Sequence, residues 1–266
     1  MLDQYNRDIY YLRIAVTDLC NLRCTYCMPE EGIKLKKHEE ILNFEEIVEI
    51  VKVAVSLGFY KFRLTGGEPL VRRGIIDLVK MLAQIDGVKT LAMTTNGLLL
   101  PQFAKQLKAA GLSRLNISLD SLNKERYNKI TRGGELADAL AGIKSAREAG
   151  FEKTKLNAVI VDGFNDDEKD NLKKFADENK MKIRFVKKMD LKSGDYYGVE
   201  GGEGGNCSIC NRVRLTADGK LRSCLFSDYE VDVRTVGIER AFRQVIENKP
   251  EKGDKSLKRE MIQIGG

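Results

Sequence analysis

No stretch of this sequence reaches the roughly 18 to 20 uninterrupted apolar residues that a membrane helix needs, although 42% of its 266 residues are hydrophobic. A helical span is therefore not expected. The opening residues Met1-Leu2-Asp3-Gln4-Tyr5-Asn6-Arg7 lack the apolar core of a secretory signal, so we expect a soluble, cytoplasmic protein. There is no long basic tract with interleaved aromatics, which argues against a nucleic-acid partner. The net charge of +6 is modest, spread along the chain and suited to a small anionic substrate. Histidine is nearly missing: His38 is alone, and six cysteines have no seventh. Structural zinc takes four Cys or His ligands, so two closed zinc sites cannot be assembled from these residues. Internal repeats are also lacking, apart from alternating strand and helix units.

What is present is that alternation. Strands are predicted at Tyr11–Val16, Lys61–Thr65, Lys89–Thr94, Arg114–Leu119, Lys155–Val161 and Ile183–Lys187. Helical periodicity lies between them. Ile41, Ile47, Val48, Val51 and Val55 approximate one apolar face; Ile75, Leu78, Val79 and Leu82 make a second; Leu136, Leu140, Ile143 and Ala146 make a third. Asp166-Asp167-Glu168 suits the first turn of a sixth helix running through Leu172 and Phe175. Such alternation implies a parallel sheet with right-handed crossovers. Six units are too few for a closed eight-stranded barrel, so the expected fold is α/β, a partial (βα)6 TIM-type barrel. A doubly wound sheet is the alternative. Either places chemistry at the C-terminal strand ends. Residues 1–192 are expected to form the barrel, 193–206 a Gly-rich linker, and 207–266 a C-terminal module. That module should hold a hairpin around Asp218-Gly219 and a helix near Ile238–Ile246.

The cysteines fall into two triplets. Cytosolic thiols stay reduced, so clustered ones bind metal or do catalysis more often than they form disulfides. Cys20-x3-Cys24-x2-Cys27 and Cys207-x2-Cys210-x13-Cys224 each offer three ligands. A four-iron cluster wants four terminal ligands, so three leave one iron open to a small molecule. S-adenosylmethionine can chelate such an iron, and an electron from the cluster can then release a 5′-deoxyadenosyl radical, chemistry that belongs to the cofactor.

Around the triplets, Cys20-Asn21-Leu22-Arg23-Cys24-Thr25-Tyr26-Cys27-Met28-Pro29 resembles the cluster loop of the GTP 3′,8-cyclase family. So do Arg63-Leu64-Thr65-Gly66-Gly67-Glu68-Pro69, Thr94-Thr95-Asn96-Gly97 and Asn116-Ile117-Ser118-Leu119-Asp120. The likeness resumes at Cys207-x2-Cys210-Asn211-Arg212-Val213-Arg214-Leu215, Ala217-Asp218-Gly219-Lys220-Leu221-Arg222 and Cys224-Leu225-Phe226, and ends at Gly265-Gly266. It spans nearly the whole chain. The first motif marks only the radical S-adenosylmethionine superfamily, whereas the second with its Asn-Arg-x-Arg sequel is more specific.

The resemblance implies two [4Fe-4S] clusters and S-adenosylmethionine, with the C-terminal module closing the open side of the barrel. It implies conversion of GTP to a 3′,8-cyclised product, the first step of molybdopterin biosynthesis. Tyr26, Gly67, Ser118 and Met189 are implied at S-adenosylmethionine. Arg13, Arg63, Thr94, Lys155, Arg212, Val213 and Arg214 are implied at GTP, whose triphosphate needs fixed cations. Gly265 and Gly266 would thread into the active site as a catalytic tail, although terminal glycines ordinarily fray. A reduced electron donor and, by product transfer, cyclic pyranopterin monophosphate synthase are the implied partners; the sequence is also compatible with a homodimer.

Two departures stand out. The family usually has a longer segment between the Met189 region and the second triplet, which leaves the docking of the C-terminal module open. Lys187-Lys188 precede Met189 where the family commonly has Glu and an apolar residue. Alternatives are a peptide-modifying radical enzyme, which typically carries more C-terminal cysteines, and a non-catalytic iron–sulfur binding protein.

Overall fold

The computed structural model describes residues 1–265. Six strands, β1 (Tyr11–Ala15), β2 (Lys61–Thr65), β3 (Thr90–Thr95), β4 (Arg114–Ser118), β5 (Lys155–Ile160) and β6 (Lys182–Lys187), lie side by side in chain order. All pair in parallel. A doubly wound sheet would reverse direction about a switch point; this one proceeds steadily outward from β1, as a barrel wall does, and does not close. The outer face is covered by α1 (Phe44–Ser56), α2 (Ile75–Ala83), α3 (Leu100–Ala109), α4 (Lys124–Thr131), α5 (Leu136–Glu148) and α6 (Lys169–Glu178).

The strands divide their residues by the two-residue period of extended chain. Leu12 and Ile14 of β1, Phe62 and Leu64 of β2, and Leu156, Ala158 and Ile160 of β5 join the core beneath the helices. Their neighbours Tyr11, Arg13, Lys61, Arg63, Lys155 and Asn157 face the concave side. Helix α1 starts where Asn43 Oδ1 accepts from the Glu46 amide at 2.8 Å and Glu46 Oε2 accepts from the Asn43 amide at 2.8 Å, a reciprocal cap. Its buried face is Ile47, Ile50, Val51 and Ala54; Val48 and Val55 flank it and Ile41 precedes the helix. Helix α2 buries the expected Ile75, Leu78, Val79 and Leu82.

The C-terminal part continues the same sheet. Strand β7 (Arg212–Leu215) pairs in parallel with β1, and β8 (Lys220–Arg222) and β9 (Glu230–Asp232) add antiparallel, giving nine strands in the order β6-β5-β4-β3-β2-β1-β7-β8-β9. The turn at Asp218-Gly219 joins β7 to β8, and α7 (Val233–Val236), α8 (Ile238–Glu247) and α9 (Met261–Ile264) follow. Residues 193–206 fold as turns along the edge strand β6. Phe185 and Glu200 exchange backbone hydrogen bonds at 3.1 Å, and Val199 donates to Gly204 at 2.8 Å. Covering an edge in this way answers its unpaired backbone groups.

A buried ion network pins the last turn of chain. Arg222 Nη1 reaches Glu230 at 2.7 Å, and Arg259 forks to Glu230 and to both oxygens of Asp218. Burial pushes the Asp218 carboxyl up, yet the hydrogen bonds from Arg259 and Thr216 outweigh it and hold the group at about 2.

Candidate active site

One cavity of about 420 Å³ sits inside the curve of the sheet, and all six cysteines line it. Cys20, Cys24 and Cys27 stand on the loop after β1. The turn after β2 packs onto that loop: a Cβ on Gly67 would come 2.1 Å from the Leu19 carbonyl oxygen, so only glycine allows this approach. Glu68, buried beside it, accepts from the amides of Leu70 (3.0 Å) and Asn96 (2.7 Å) and from Thr95 Oγ1 (2.8 Å). Burial still raises its carboxyl to about 7. Tyr26 Oη donates to Asp120 Oδ2 at 2.7 Å, and Asp120 Oδ1 accepts from the Val159 amide at 2.8 Å. The cysteine loop is thereby tied to the ends of β4 and β5. Asn96 Nδ2 adds a bond to Asn21 Oδ1 at 2.7 Å.

The thiols fit an iron–sulfur cluster. All six are free. Burial pushes Cys20 up to about 11 and Cys24 to about 12, with Glu68 and Asp120 adding repulsion. Cys27 is raised as well, by burial and by the neighbouring Cys24 and Asp120. Three such soft donors ionise together only against added positive charge, which a cluster supplies. Cys207, Cys210 and Cys224 occupy the opposite end of the cavity. Burial raises Cys224, whereas at Cys210 burial is outweighed by Lys249 together with the amide and charge of Arg212, and the thiol is lowered.

Between the triplets the floor is cationic. Register places Arg13 directly across from Arg63 on one side and Arg214 on the other, and Tyr11 across from Lys61 and Arg212. Like charges opposite one another destabilise a sheet. Arg214 falls to about 10 through burial and the nearby Arg212, and Arg13 is lowered by burial and Arg214. Lys155 is lowered by burial and by Arg184, and Arg184 by burial and by Arg63. Burial would raise the Tyr11 phenol, yet Arg63 and Arg13 pull it down to about 8. Arg63 Nε donates to Tyr11 Oη at 2.5 Å and Nη1 to Thr94 Oγ1 at 3.1 Å. The Nε atoms of Arg184 and Arg212 are buried without a hydrogen-bond partner among the described residues. Buried donors are ordinarily satisfied, and several phosphate oxygens would satisfy these.

Most of the expected residues meet here: Arg13, Tyr26, Arg63, Gly67, Thr94, Ser118, Lys155, Met189, Arg212 and Arg214 all line the cavity. Val213 does not. It is fully buried in the helix-side core, because it alternates with Arg212 and Arg214 and its side chain points through the sheet. Gly265 lies against the cavity wall, where its carbonyl accepts from Arg214 Nη1 at 2.7 Å. Gly266 lies outside the described residues. Lys61, Asn116, Asn157, Arg184 and Tyr196 line the cavity unforeseen, together with Glu203-Gly204-Gly205-Asn206 of the Gly-rich stretch. Alternation within β6 could have flagged Arg184.

Residues 14–176 match the Radical SAM superfamily profile, and residues 199–255 match one described as Molybdenum Cofactor Synthesis C. Proteins named GTP 3′,8-cyclase from Alkaliphilus oremlandii and Petrotoga mobilis are each 42% identical to this chain, the alignments covering all of both proteins. The chain belongs to the GTP 3′,8-cyclase family. Another member, from Thermodesulfovibrio yellowstonii, is 43% identical over 89% of this chain and 88% of its own. Alignment with the A. oremlandii cyclase runs over 320 positions against 266 residues here. This family member therefore faces internal gaps, as its short segment before the second triplet led us to expect. Radical SAM membership implies an iron–sulfur cluster and S-adenosylmethionine. The fold is shared with anSMEcpe with bound AdoMet, at 14% identity and TM-score 0.64 over 89% of this chain and 82% of that one. Streptococcus suis SuiB bound to S-adenosylmethionine matches at 14% identity and TM-score 0.62, over 93% and 66%.

Proposed function

We propose that this chain converts GTP to (8S)-3′,8-cyclo-7,8-dihydroguanosine 5′-triphosphate, the first step of molybdopterin biosynthesis. The reading is carried by one observation: two cysteine triplets share a single cavity whose floor is a row of in-register cations. Cys20, Cys24 and Cys27 would hold one four-iron cluster, with Tyr26, Gly67, Ser118 and Met189 around S-adenosylmethionine. Cys207, Cys210 and Cys224 would hold a second, near the guanine. A cluster held by Cys20, Cys24 and Cys27, with S-adenosylmethionine bound, would supply one-electron radical chemistry.

The protein's own part is binding and placement. Arg13, Arg63, Lys155, Arg212 and Arg214, with Thr94, grip the triphosphate, whose negative charge relieves the repulsion that these cations impose on one another. Gripping the phosphates fixes the ribose between the two ends, and such positioning accounts for a large share of rate in reactions of this type. The tail at Gly265 packs beside Arg214 and helps close the cavity. A reduced electron donor and, by product transfer, cyclic pyranopterin monophosphate synthase are the partners this reading requires.

Anaerobic incubation with reductant, S-adenosylmethionine and GTP tests it directly. Both 5′-deoxyadenosine and a cyclised nucleotide should form. Arg212→Ala or Arg214→Ala should weaken GTP far more than guanosine, by about 2 to 5 kcal/mol for a lost buried charge contact. Equal weakening of both ligands, or 5′-deoxyadenosine without any cyclised product, would count against the proposal.

A further inference from the structure

Lys249 follows α8 and is only 2% exposed. Lysine is rarely buried to that degree unless paired. Here its Nζ donates to the carbonyl oxygen of Arg212 at 3.0 Å and to that of Ser223. An ammonium has three donors, and two of these are spent on backbone next to the second triplet. The two carbonyls belong to residues just after Cys210 and just before Cys224. A second buried cation completes the arrangement: Arg7, paired with Asp3 at 2.6 Å, donates to the carbonyls of Cys207 (2.9 Å), Pro250 (2.7 Å) and Glu251 (2.9 Å). Two buried side chains thus hold the backbone beside all three cysteines, and Lys249 sets its charge between the segments that carry Cys210 and Cys224.

We propose that Lys249 is a positioning residue for the second cluster, fixing the segments that carry Cys210 and Cys224 and raising the cluster's reduction potential. This rests on the reading that the second triplet holds a cluster. Cluster potentials respond to local charge and to hydrogen bonds at sulfur. A fixed positive charge favours the form that has gained one electron, here from dithionite, with no bond made or broken.

The test uses the whole chain, reconstituted anaerobically, with iron analysis and a potentiometric titration followed by electron paramagnetic resonance. The Cys20→Ala, Cys24→Ala, Cys27→Ala chain identifies the second cluster's signal. Lys249→Gln keeps a donor and removes the charge. It should retain about eight irons and shift the ratio of reduced to oxidised second cluster about tenfold toward oxidised at fixed potential, a midpoint about 59 mV lower for one electron. An eight-iron Lys249→Gln chain with an unmoved midpoint overturns the proposal alone. An intact chain holding only about four irons overturns it together with the two-cluster reading. If Lys249→Gln cannot hold the second cluster, Lys249→Arg decides: retained iron and an unmoved midpoint support the proposal, while loss of that cluster's iron overturns it.

Discussion

Replacing Gly265 by alanine should free the end of the chain from the cavity wall and leave the rest folded. Gly265 has φ 69°, a left-handed conformation that costs an alanine about 1–2 kcal/mol. The new Cβ would stand 2.3 Å from Thr65 Oγ1 and 3.4 Å from Ala15 Cβ. Thr65 would have to turn away from the Ile14 carbonyl it now meets at 3.3 Å, and crowding of this kind costs about 1–3 kcal/mol. Holding the glycine in place is the Arg214 bond to its carbonyl, worth about 1.5–3 kcal/mol for a charged donor. The strain matches or exceeds that bond, so release is the cheaper outcome. Ile264, buried with Leu191 and Phe226, keeps the preceding turn in place and confines the change. Hydrogen exchange should therefore quicken at residues 264–265 while Tm falls by no more than about 4 °C. Cyclised product, measured against the intact chain's own turnover, should fall at least about tenfold as placement loosens. Unchanged exchange together with full product formation would show that the Arg214 contact positions nothing.

Three other outcomes follow from the same geometry. Val213→Ala should cost about 2 kcal/mol of stability in urea melts, roughly 0.8 per buried methyl, and leave GTP affinity alone; the opposite pattern would put Val213 on the cavity face. Asp218→Asn should destabilise by about 2 kcal/mol near neutral pH. Because the folded carboxyl lies below its ordinary value, that difference is full above about pH 4 and closes as pH falls toward 2; a gap independent of pH in thermal melts would contradict the Arg259 pairing. Changing Cys20, Cys24 and Cys27 to alanine should lower iron from about eight to about four per chain and abolish 5′-deoxyadenosine formation, whereas stoichiometric zinc in the intact chain would remove the basis for radical chemistry.

The barrel was largely legible. Short alternating strands separated by amphipathic segments set six expected strands within a residue or so of β1–β6. Helix α4 was missed because Lys-Glu-Arg-Tyr-Asn-Lys-Ile-Thr shows only Tyr127, Ile130 and Thr131 to the interior. Cysteine spacing and basic residues in strands located the cavity. The pairing of β7 with β1 was not readable, since a contact between distant segments leaves no local pattern. For the same reason residues 193–206 read as a bare linker: glycine content reports backbone freedom, not the edge of β6 against which the turns lie. Val213 entered through the family resemblance, and the two-residue period turns its side chain inward.

Strand β1 takes hydrogen bonds from β2 on one side and from β7 on the other. Just before it, Tyr10 meets Asn211 across 201 positions of sequence. A chain emerging N-terminus first thus carries β1 with one flank unpaired until the last fifth of the protein has been made. Contacts this distant slow folding, and open strand flanks invite the wrong partner meanwhile. The basic residues of β1 and β2 that later face the cavity are well placed to limit such mispairing, because a second nascent copy would bring like charges together. The charge arrangement that strains the finished sheet would then serve as a safeguard during synthesis.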